Sequence, residues 1–494
     1  MAATSVQAQR IGCVHNCGGT RGVTRSHLPA PYNYDPQKTY RQPVVLISFN
    51  DRDFSMSDPK EYYHRLFNEK GYNEGVGPGC VADYFRDQSS GRLNLQFDIY
   101  GPFKVNKTAG DHSADYNGLD IIMDALKLLY ETETTDFSIY DWNGDGMVNQ
   151  VVFVAAGYSG HQEVGYIYPF SYDIFSKLPG DIYTQFVSIS CELWHDDSLF
   201  GLGHIVHEFC HCLGLPDVYP LSPATLFSAV DEWDVMDGGP FTNHGWCPPN
   251  LSTMERMYLG WDMPEELTKP TTVDKMKPLS EGGKSYIVRN SGNSNEYYLL
   301  ENRSQTGWDY GCPGNGLLIY HVDFDRKAWE YNEVNTADNH YRYDLFHASN
   351  KGFRDWCPQN NDKDYTRWTE PDWLRSRYFS TSPYPYTNPT TLSVNNSLTD
   401  KSKPVAGVIT RAADGRLFMG KPITNIKLAD DGTISFDFMK KDDTGIETIS
   451  DAESNMSDAW YTIDGRRLPG RPTAKGLYIR RHASGSFGKK IHLR

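Results

Sequence analysis

The feature that most constrains this chain is the run His207-Glu208-Phe209-Cys210-His211, in which two histidines stand four residues apart. On an α-helix this spacing projects both imidazoles from one face toward one point, which suits two corners of a tetrahedral zinc site. Glu208 follows the first histidine, where a carboxylate beside the metal can take a proton from water. The apolar residues of this region predict that the helix is buried; they are Leu202, Ile205, Val206, Phe209 and Leu213.

Two residues beyond the predicted helix extend the motif. Gly214 can adopt the left-handed conformation that ends a helix and turns the chain sharply. Asp217, six residues after His211, then returns as the third ligand, where a longer zinc motif commonly has a third histidine. A bare His-Glu-x-x-His also occurs in solvent-facing polar helices, but a glycine and an acidic residue at these offsets favour zinc.

A methionine-containing turn is predicted downstream, in the run Glu232-Trp-Asp-Val-Met-Asp-Gly-Gly239. It resembles the turn that underlies the zinc in metzincin-type proteases. The thioether of Met236 would form an apolar, polarizable surface beneath the metal without competing strongly as a ligand. Alone, Met236 would be interpreted as a core residue before a Gly-Gly turn, but its place after the zinc motif favours the metzincin interpretation.

The run Asp141–Asn149 predicts a second metal site. It places oxygen donors at alternate positions around a glycine at position six, as in the first part of a calcium loop. The predicted donors are Asp141, Asn143, Asp145, the backbone carbonyl of Met147, and Asn149. The glutamate expected at position twelve is absent, since Val152 stands there within a predicted strand. The run is therefore either a structural calcium loop that leads into a strand or a polar turn without metal.

Length and charge exclude some classes of protein. A chain of 494 residues is too long for one core and predicts two to four domains. A formal net charge of −15 argues against a nucleic-acid-binding face, and no apolar run approaches the length of a membrane span. Nine cysteines are an odd number, so at least one has no partner within the chain. Cys210 is expected to pack as a small buried hydrophobe, while Cys13 or Cys17 could supply a thiolate that caps the zinc in a latent form.

The order of predicted elements indicates an α+β multidomain protein. Residues 1–40 form a leader, in which Ala2–Ala8 resembles the end of a signal peptide or is an ordinary disordered start. Residues 41–263 form a zincin-like, metzincin-like catalytic domain. Residues 264–440 form a β-sandwich-like accessory domain of short strands, which are predicted at 285–289, 296–301, 316–322 and 433–438. Residues 441–494 form a linker and a small all-β tail. The elements predicted within the catalytic domain are a strand at Val44–Phe49, helices at Ser57–Glu69 and after Gly79, a strand at Leu93–Ile99, a helix at Leu119–Tyr130 and a strand at Val151–Ala156.

These motifs together resemble the immune inhibitor A family of secreted bacterial metallopeptidases, over roughly residues 40 to 440. The matching runs are Asp83–Phe85, Ser89–Leu93, Asp141–Asn149, His207–Tyr219, Trp233–Met236, Met257–Trp261, Glu296–Arg303 and Gly316–Asp323. The resemblance implies a secreted zinc endopeptidase that acts on protein or peptide substrates. It also implies that His207, His211 and Asp217 are the zinc ligands and that Glu208 is the general base.

The residue that stabilises the oxyanion is left open by the sequence. Several metzincins have a tyrosine two residues after the methionine of the turn, but here Gly238 follows Met236 at that spacing. Tyr219 and His244 are the candidates for transition-state or substrate contacts.

The C-terminal tail has a resemblance of its own. The runs Trp460–Leu468, Lys475–Ile479 and Gly488–Lys490 are similar to sorting domains of the bacterial type IX secretion system. That similarity implies export across the outer membrane of a Gram-negative bacterium, followed by release or anchoring at the surface. The alternative is an ordinary β-hairpin tail of the accessory domain.

Two other functions compete with proteolysis. A surface adhesin or glycan-binding protein could carry a vestigial or structural zinc site, and a zinc hydrolase could act on a bond other than a peptide. The intact Glu208 argues against a structural site, because such a site normally closes four protein ligands and has no use for a base.

Overall fold

A computed structural model describes most of the chain between Tyr32 and Lys440 and four strands of the tail. The described residues are 32–110, 118–160, 166–194, 196–220, 229–336, 340–351, 378–440, 459–462, 467–468, 476–481 and 491–493. The chain divides into two compact units, Met1–Lys440 and Lys441–Arg494. The predicted signal-peptide remnant, Cys13 and Cys17 lie outside the described residues.

The first layer of the larger unit is a six-stranded mixed sheet. Its strands are β1 (Thr39–Ser48), β2 (Asn94–Lys104), β3 (Met147–Val148), β4 (Val151–Tyr158), β5 (Phe170–Leu178) and β6 (Ile182–Leu193). Strands β2, β1, β4 and β6 lie side by side in parallel, and β3 pairs with the start of β6. Strand β5 pairs antiparallel with the opposite side of β6. The inner strands β1 and β4 are almost entirely buried, as expected for parallel strands covered on both faces.

Six α-helices accompany the sheets in the part of the chain that the structure describes. They are α1 (Pro59–Asn68), α2 (Val81–Gln88), α3 (Leu119–Thr132), α4 (Gly203–Cys212), α5 (Thr253–Tyr258) and α6 (Arg326–Glu330). The Asp58 side chain caps α1 by accepting from the Glu61 N–H at 3.1 Å, and Pro59 occupies the first turn. The predicted helix at Ser57–Glu69 is thereby confirmed, as is the helix that follows Gly79.

A five-stranded sheet and a three-stranded sheet follow. The five-stranded sheet contains β7 (Glu265–Glu266), β9 (Tyr286–Arg289), β10 (Glu296–Arg303), β11 (Gly316–Asp323) and β12 (Tyr343–Leu345). The three-stranded sheet contains β8 (Thr271–Met276), β15 (Ile423–Leu428) and β16 (Ile434–Phe438). A short pair, β13 (Tyr386–Thr387) and β14 (Val394–Asn395), lies between β12 and β15 in sequence. The strands predicted at 285–289, 296–301, 316–322 and 433–438 are confirmed.

Alternate residues of β10 face two different hydrophobic cores. Tyr297 and Leu299 belong to the core that also contains the first sheet and α4. Tyr298 and Leu300 belong to a second core, shared with β8, β15 and β16. The five-stranded sheet is therefore buried on both faces, and its second face packs against the three-stranded sheet in a sandwich-like arrangement. The larger unit is a mixed α/β structure, consistent with the α+β expectation, while a domain boundary at 263/264 stays a prediction.

The smaller unit contains a four-stranded antiparallel sheet. Its strands are β17 (Ala459–Thr462), β18 (Arg467–Leu468), β19 (Gly476–Arg481) and β20 (Ile491–Leu493), in the order β18-β17-β19-β20. The strand-rich character of the tail agrees with the sequence, whereas its sorting role stays a prediction. Across the described ranges, no helix has both the length and the apolar composition needed to cross a membrane.

Candidate metal centre

Helix α4 carries both histidines of the motif and is buried along its whole length. The helix ends where the sequence predicts, because Gly214 adopts a left-handed φ of 99°. Its N–H donates to the His211 carbonyl at 2.9 Å, and the N–H of Leu215 reaches back to the Cys210 carbonyl at 3.1 Å. These bonds satisfy the last carbonyls of the helix and direct the chain toward Asp217.

The three residues that the sequence assigns as ligands meet at one point. The Asp217 Oδ1 atom lies 3.3 Å from His207 Nε2 and 3.4 Å from His211 Nε2. Ligand atoms of His207, Glu208 and His211 all lie within 4.8 Å of one another, and the group could hold a metal ion. All four side chains are buried, so their charges interact more strongly than they would in water.

Backbone carbonyls fix the orientation of both imidazoles. Nδ1 of His207 donates to the Val235 carbonyl at 2.7 Å, and Nδ1 of His211 donates to the Leu215 carbonyl at 2.8 Å. A carbonyl can only accept, so each Nδ1 carries a hydrogen. In the neutral imidazole, which is the form that binds a metal, each Nε2 then presents its lone pair toward Asp217. Hydrogen bonds of this kind, from the ring nitrogen that faces away from the metal, orient histidine ligands in metal sites.

The electrostatic field of the cluster favours positive charge. Burial by itself lowers the pKa of His207, but the Asp217 carboxylate and the charge of Glu208 outweigh it and raise the pKa to about 9. A metal cation placed among the same groups meets the same favourable field. The donor set of two imidazoles and one carboxylate therefore fits a divalent cation in both geometry and charge.

The carboxylate of Glu208 is contacted by a residue that the sequence did not point to. The Ser171 hydroxyl, buried on β5, donates to Glu208 Oε2 at 2.8 Å and also lies 3.0 Å from the backbone oxygen of the same glutamate. No element was predicted between the strand at 151–156 and the zinc helix. The signal was present, because Ile182–Leu193 is rich in β-branched and aromatic residues.

A second contact that sequence reasoning missed lies at Asp217. The Asn332 side chain donates from Nδ2 to Asp217 Oδ2 at 2.8 Å, and its Oδ1 accepts from the Asp217 N–H at 2.6 Å. Asn332 follows α6 and is buried. No local sequence pattern could predict this contact, because 115 residues separate Asp217 and Asn332 in the chain.

The methionine turn packs against the loop that carries Asp217. Met236 is fully buried in the same core as α4, and its carbonyl accepts from the Val218 N–H at 3.0 Å. Its own N–H donates to Asp234 Oδ1 at 2.8 Å. Asp234 Oδ2 in turn accepts from the Tyr343 hydroxyl at 3.1 Å. The turn is thus hydrogen-bonded to the ligand loop on one side and to β12 on the other.

The two candidates for substrate contacts occupy different surroundings. Tyr219 is half-buried, two residues after Asp217. His244 is exposed, and its ring lies 5.1 Å from that of Trp194. Their roles stay predictions. His204, one turn before His207 on α4, is buried and stacks on Phe200 with ring centroids 3.8 Å apart.

Hydrogen bonds between its own residues hold the Asp141–Asn149 loop in a turn. Asp141 Oδ1 accepts from the Gly144 N–H at 2.7 Å, and Oδ2 accepts from the Gly146 N–H at 2.8 Å. Asp145 accepts from the Met147 N–H at 3.0 Å, and Asn149 accepts from the Trp142 N–H at 2.8 Å. The loop leads into β3 and β4, as the sequence predicts. A calcium ion at Asp141, Asn143, Asp145, Met147 and Asn149 stays a prediction.

Cys210, between the two histidines, is fully buried in the core. Burial raises the pKa of its thiol well above the ordinary value, so the residue packs as a neutral hydrophobe. Cys212 is buried as well, and burial likewise raises its pKa beyond the ordinary range. Among the described residues, the group of side chains that could hold a metal ion contains His207, Glu208 and His211 and neither of these cysteines.

The chain is distantly similar to bacterial metalloproteases. It is 22% identical over 240 residues to the pre-pro-metalloprotease PrtV of Vibrio cholerae, covering 41% of this chain and 26% of that protein. It is 24% identical over 281 residues to immune inhibitor A of Bacillus thuringiensis subsp. alesti, covering 46% of this chain and 40% of that protein. The chain thus spans less than half of the length of these relatives. No protein-family model matches it.

Proposed function

We propose that this protein is a zinc-dependent endopeptidase. The observation that carries the proposal is that Asp217 Oδ1 lies 3.3 Å from His207 Nε2 and 3.4 Å from His211 Nε2. Donors bound to one tetrahedral zinc at about 2.0–2.1 Å lie about 3.3–3.4 Å apart. Both distances to Asp217 Oδ1 match this separation, which supports His207, His211 and Asp217 as the ligands. The similarity to the pre-pro-metalloprotease PrtV supports the same proposal.

Each residue of the centre has a defined task in this proposal. His207, His211 and Asp217 hold the zinc, which when bound lowers the pKa of water to about 7 and polarises a carbonyl group. Glu208 accepts a proton from the attacking water and passes it to the leaving amine. The Ser171 hydroxyl orients the Glu208 carboxylate through its bond to Oε2. Three protein ligands leave a fourth position for the reaction, which a structural site would close.

Strand β5 supports a polypeptide as the substrate. Among the described strands it pairs only with β6, so it forms an edge of the first sheet. Ser171 places this edge next to Glu208. An extended peptide can add to such an edge through its main chain, which requires no particular side-chain sequence. This mode of binding favours peptide hydrolysis over hydrolysis of another bond and over glycan binding.

The remaining features of the sequence extend the proposal. We propose that calcium binds the Asp141–Asn149 loop and stabilises the entry to β3 and β4. We also propose that the protein acts outside the cell, and that the strand-rich tail directs its export through a type IX pathway to the surface of a Gram-negative bacterium. Measurement of bound calcium, and of the cellular location of chains with and without 441–494, tests these two points.

Hydrolysis of an internally quenched peptide tests the enzymatic proposal. We expect the wild-type protein to cleave it, to lose activity with a zinc chelator, and to recover when zinc is restored. The Glu208→Gln variant should keep one zinc per chain and lose cleavage, whereas Glu281→Gln, an exposed residue, should behave as wild type. Cleavage by the metal-free protein or by Glu208→Gln contradicts the proposal. Glycan binding without any cleavage would support the adhesin instead.

A further inference from the structure

The third metal ligand is held by residues from a part of the chain far beyond the motif. Asp217 lies on the loop after α4, whereas Asn332 lies after α6, within the region predicted as an accessory domain. Both ends of the Asn332 amide contact the same residue, one on its carboxylate and one on its backbone N–H, at 2.8 and 2.6 Å. Such a two-point contact fixes the direction in which the Asp217 carboxylate points.

Neighbouring contacts reinforce this arrangement. Asn335 Nδ2 donates to the Val218 carbonyl at 2.6 Å and to the Tyr343 carbonyl at 2.8 Å. The N–H of Val218 donates to Met236. The loop that carries Asp217 and Val218 is therefore hydrogen-bonded to the methionine turn on one side and to Asn332 and Asn335 on the other.

The backbone at Asn332 is also arranged for this contact. Its φ is 56°, in the left-handed region that is costly for most residues and that asparagine tolerates better than others. The side chain is buried, so its polar atoms would be costly without hydrogen-bond partners. Asp217 supplies a partner to each end of the amide.

We infer that Asn332 is a positioning residue for the metal, and that the region after residue 264 is part of the metal centre. The inference rests on the proposed zinc site. By holding Asp217 Oδ2, Asn332 leaves Oδ1 directed at the two Nε2 atoms. Partners that orient a ligand in this way change metal affinity by about 10- to 100-fold when they are removed.

Zinc affinity of the full-length chain, measured by competition with a chelator, tests the inference. Asn332→Gly deletes both contacts and still permits the left-handed backbone. We expect it to weaken zinc binding about 10- to 100-fold and to alter the visible spectrum of the cobalt-substituted protein. Asn350→Gly is the matched control, because Asn350 is an exposed asparagine with a φ of 55°. It should keep both the affinity and the spectrum of the wild type.

The outcomes separate this inference from the proposed function. Wild-type protein that binds no zinc overturns the proposed function itself. Wild-type protein that binds zinc, together with Asn332→Gly of equal affinity and unchanged cobalt spectrum, overturns only the role of Asn332. If Asn332→Gly does not fold, hydrogen exchange of the wild type decides. Metal removal should speed exchange in residues 328–336 and leave Ile423–Leu428 unchanged, and equal exchange in residues 328–336 contradicts the inference.

Discussion

Ser171 on β5 and Glu208 on α4 are joined through one hydroxyl group, which lies 2.8 Å from the glutamate Oε2 and 3.0 Å from its backbone oxygen. The contact connects the edge strand of the first sheet to the helix that carries the histidines. It therefore couples the proposed substrate-binding edge to the proposed base, and the two cannot move independently without breaking a buried hydrogen bond.

Replacement of Ser171 by alanine tests this coupling. Hydrogen bonds to charged groups contribute about 1.5–3 kcal/mol, so we expect kcat to fall about 10- to 100-fold with zinc content unchanged. Ser176→Ala, on the same strand, is the control and should retain the wild-type kcat. A Ser171→Ala variant with wild-type kcat would show that the hydroxyl does not position Glu208.

The buried pair Asp234 and Glu255 predicts a pH-dependent stability. Burial raises the pKa of Glu255 well above its ordinary value, and the neighbouring Asp234 carboxylate raises it further. The folded protein thus keeps a proton that the unfolded chain releases near the ordinary glutamate pKa, at a pH of about 4.3. The stabilisation is complete below that pH and declines as the pH rises toward the folded pKa.

Glu255→Gln should remove this part of the pH dependence, since glutamine is always neutral. We expect the free energy of unfolding of the variant, relative to wild type, to rise by up to about 1.4 kcal/mol per pH unit above pH 5. Urea unfolding of metal-depleted protein between pH 5 and 8 measures the slope. The exposed Glu281→Gln should show no such slope, and a flat difference for Glu255→Gln contradicts the prediction.

Arg303 should be essential for stability. It is fully buried, and its guanidinium contacts Glu301 at 2.8 Å and Asp309 at 2.6 Å. Arg303→Met leaves two carboxylates buried without their cation, which costs about 3–5 kcal/mol. Denaturant unfolding should show that loss. Arg326→Met removes an exposed pair with Glu330 instead, and its effect should stay within about 1 kcal/mol; equal effects of the two variants would be incompatible with this account.

Truncation after Lys440 should leave the metal centre intact. Apart from residues that the structure does not describe, both hydrophobic cores of the larger unit draw their members from residues before Lys440. The shortened chain should fold, bind zinc with the affinity of the full chain and keep its peptidase activity. Calorimetry and zinc titration of the two chains make the comparison, and a shortened chain that fails to bind zinc would contradict the division into two units.

Local patterns in the sequence predicted much of the framework of the centre. The spacing of His207 and His211, the left-handed Gly214 and the apolar residues of α4 all act within a few turns of one helix. The strand at Val151–Ala156 and the helix at Leu119–Tyr130 are equally local, and both are found in the structure. Features of this kind can be predicted from the sequence, because the residues that cause them are close together in the chain.

The remaining features depend on distant pairing, which one sequence does not display. Ser171 meets Glu208 only because β5 folds back on β6, and Asn332 meets Asp217 across 115 residues. The strands predicted at 296–301 and 316–322 are found as β10 and β11. Their local pattern did not indicate that Tyr297 and Leu299 pack in the same core as α4.

X-ray absorption at the zinc edge, combined with metal analysis of the purified full-length chain, measures whether His207, His211 and Asp217 hold zinc. We expect one zinc per chain with nitrogen and oxygen donors at about 2.0–2.1 Å, two of them imidazoles, and loss of the metal in His211→Ala. A chain that holds no stoichiometric zinc, or whose zinc has sulfur donors at about 2.3 Å, would contradict it.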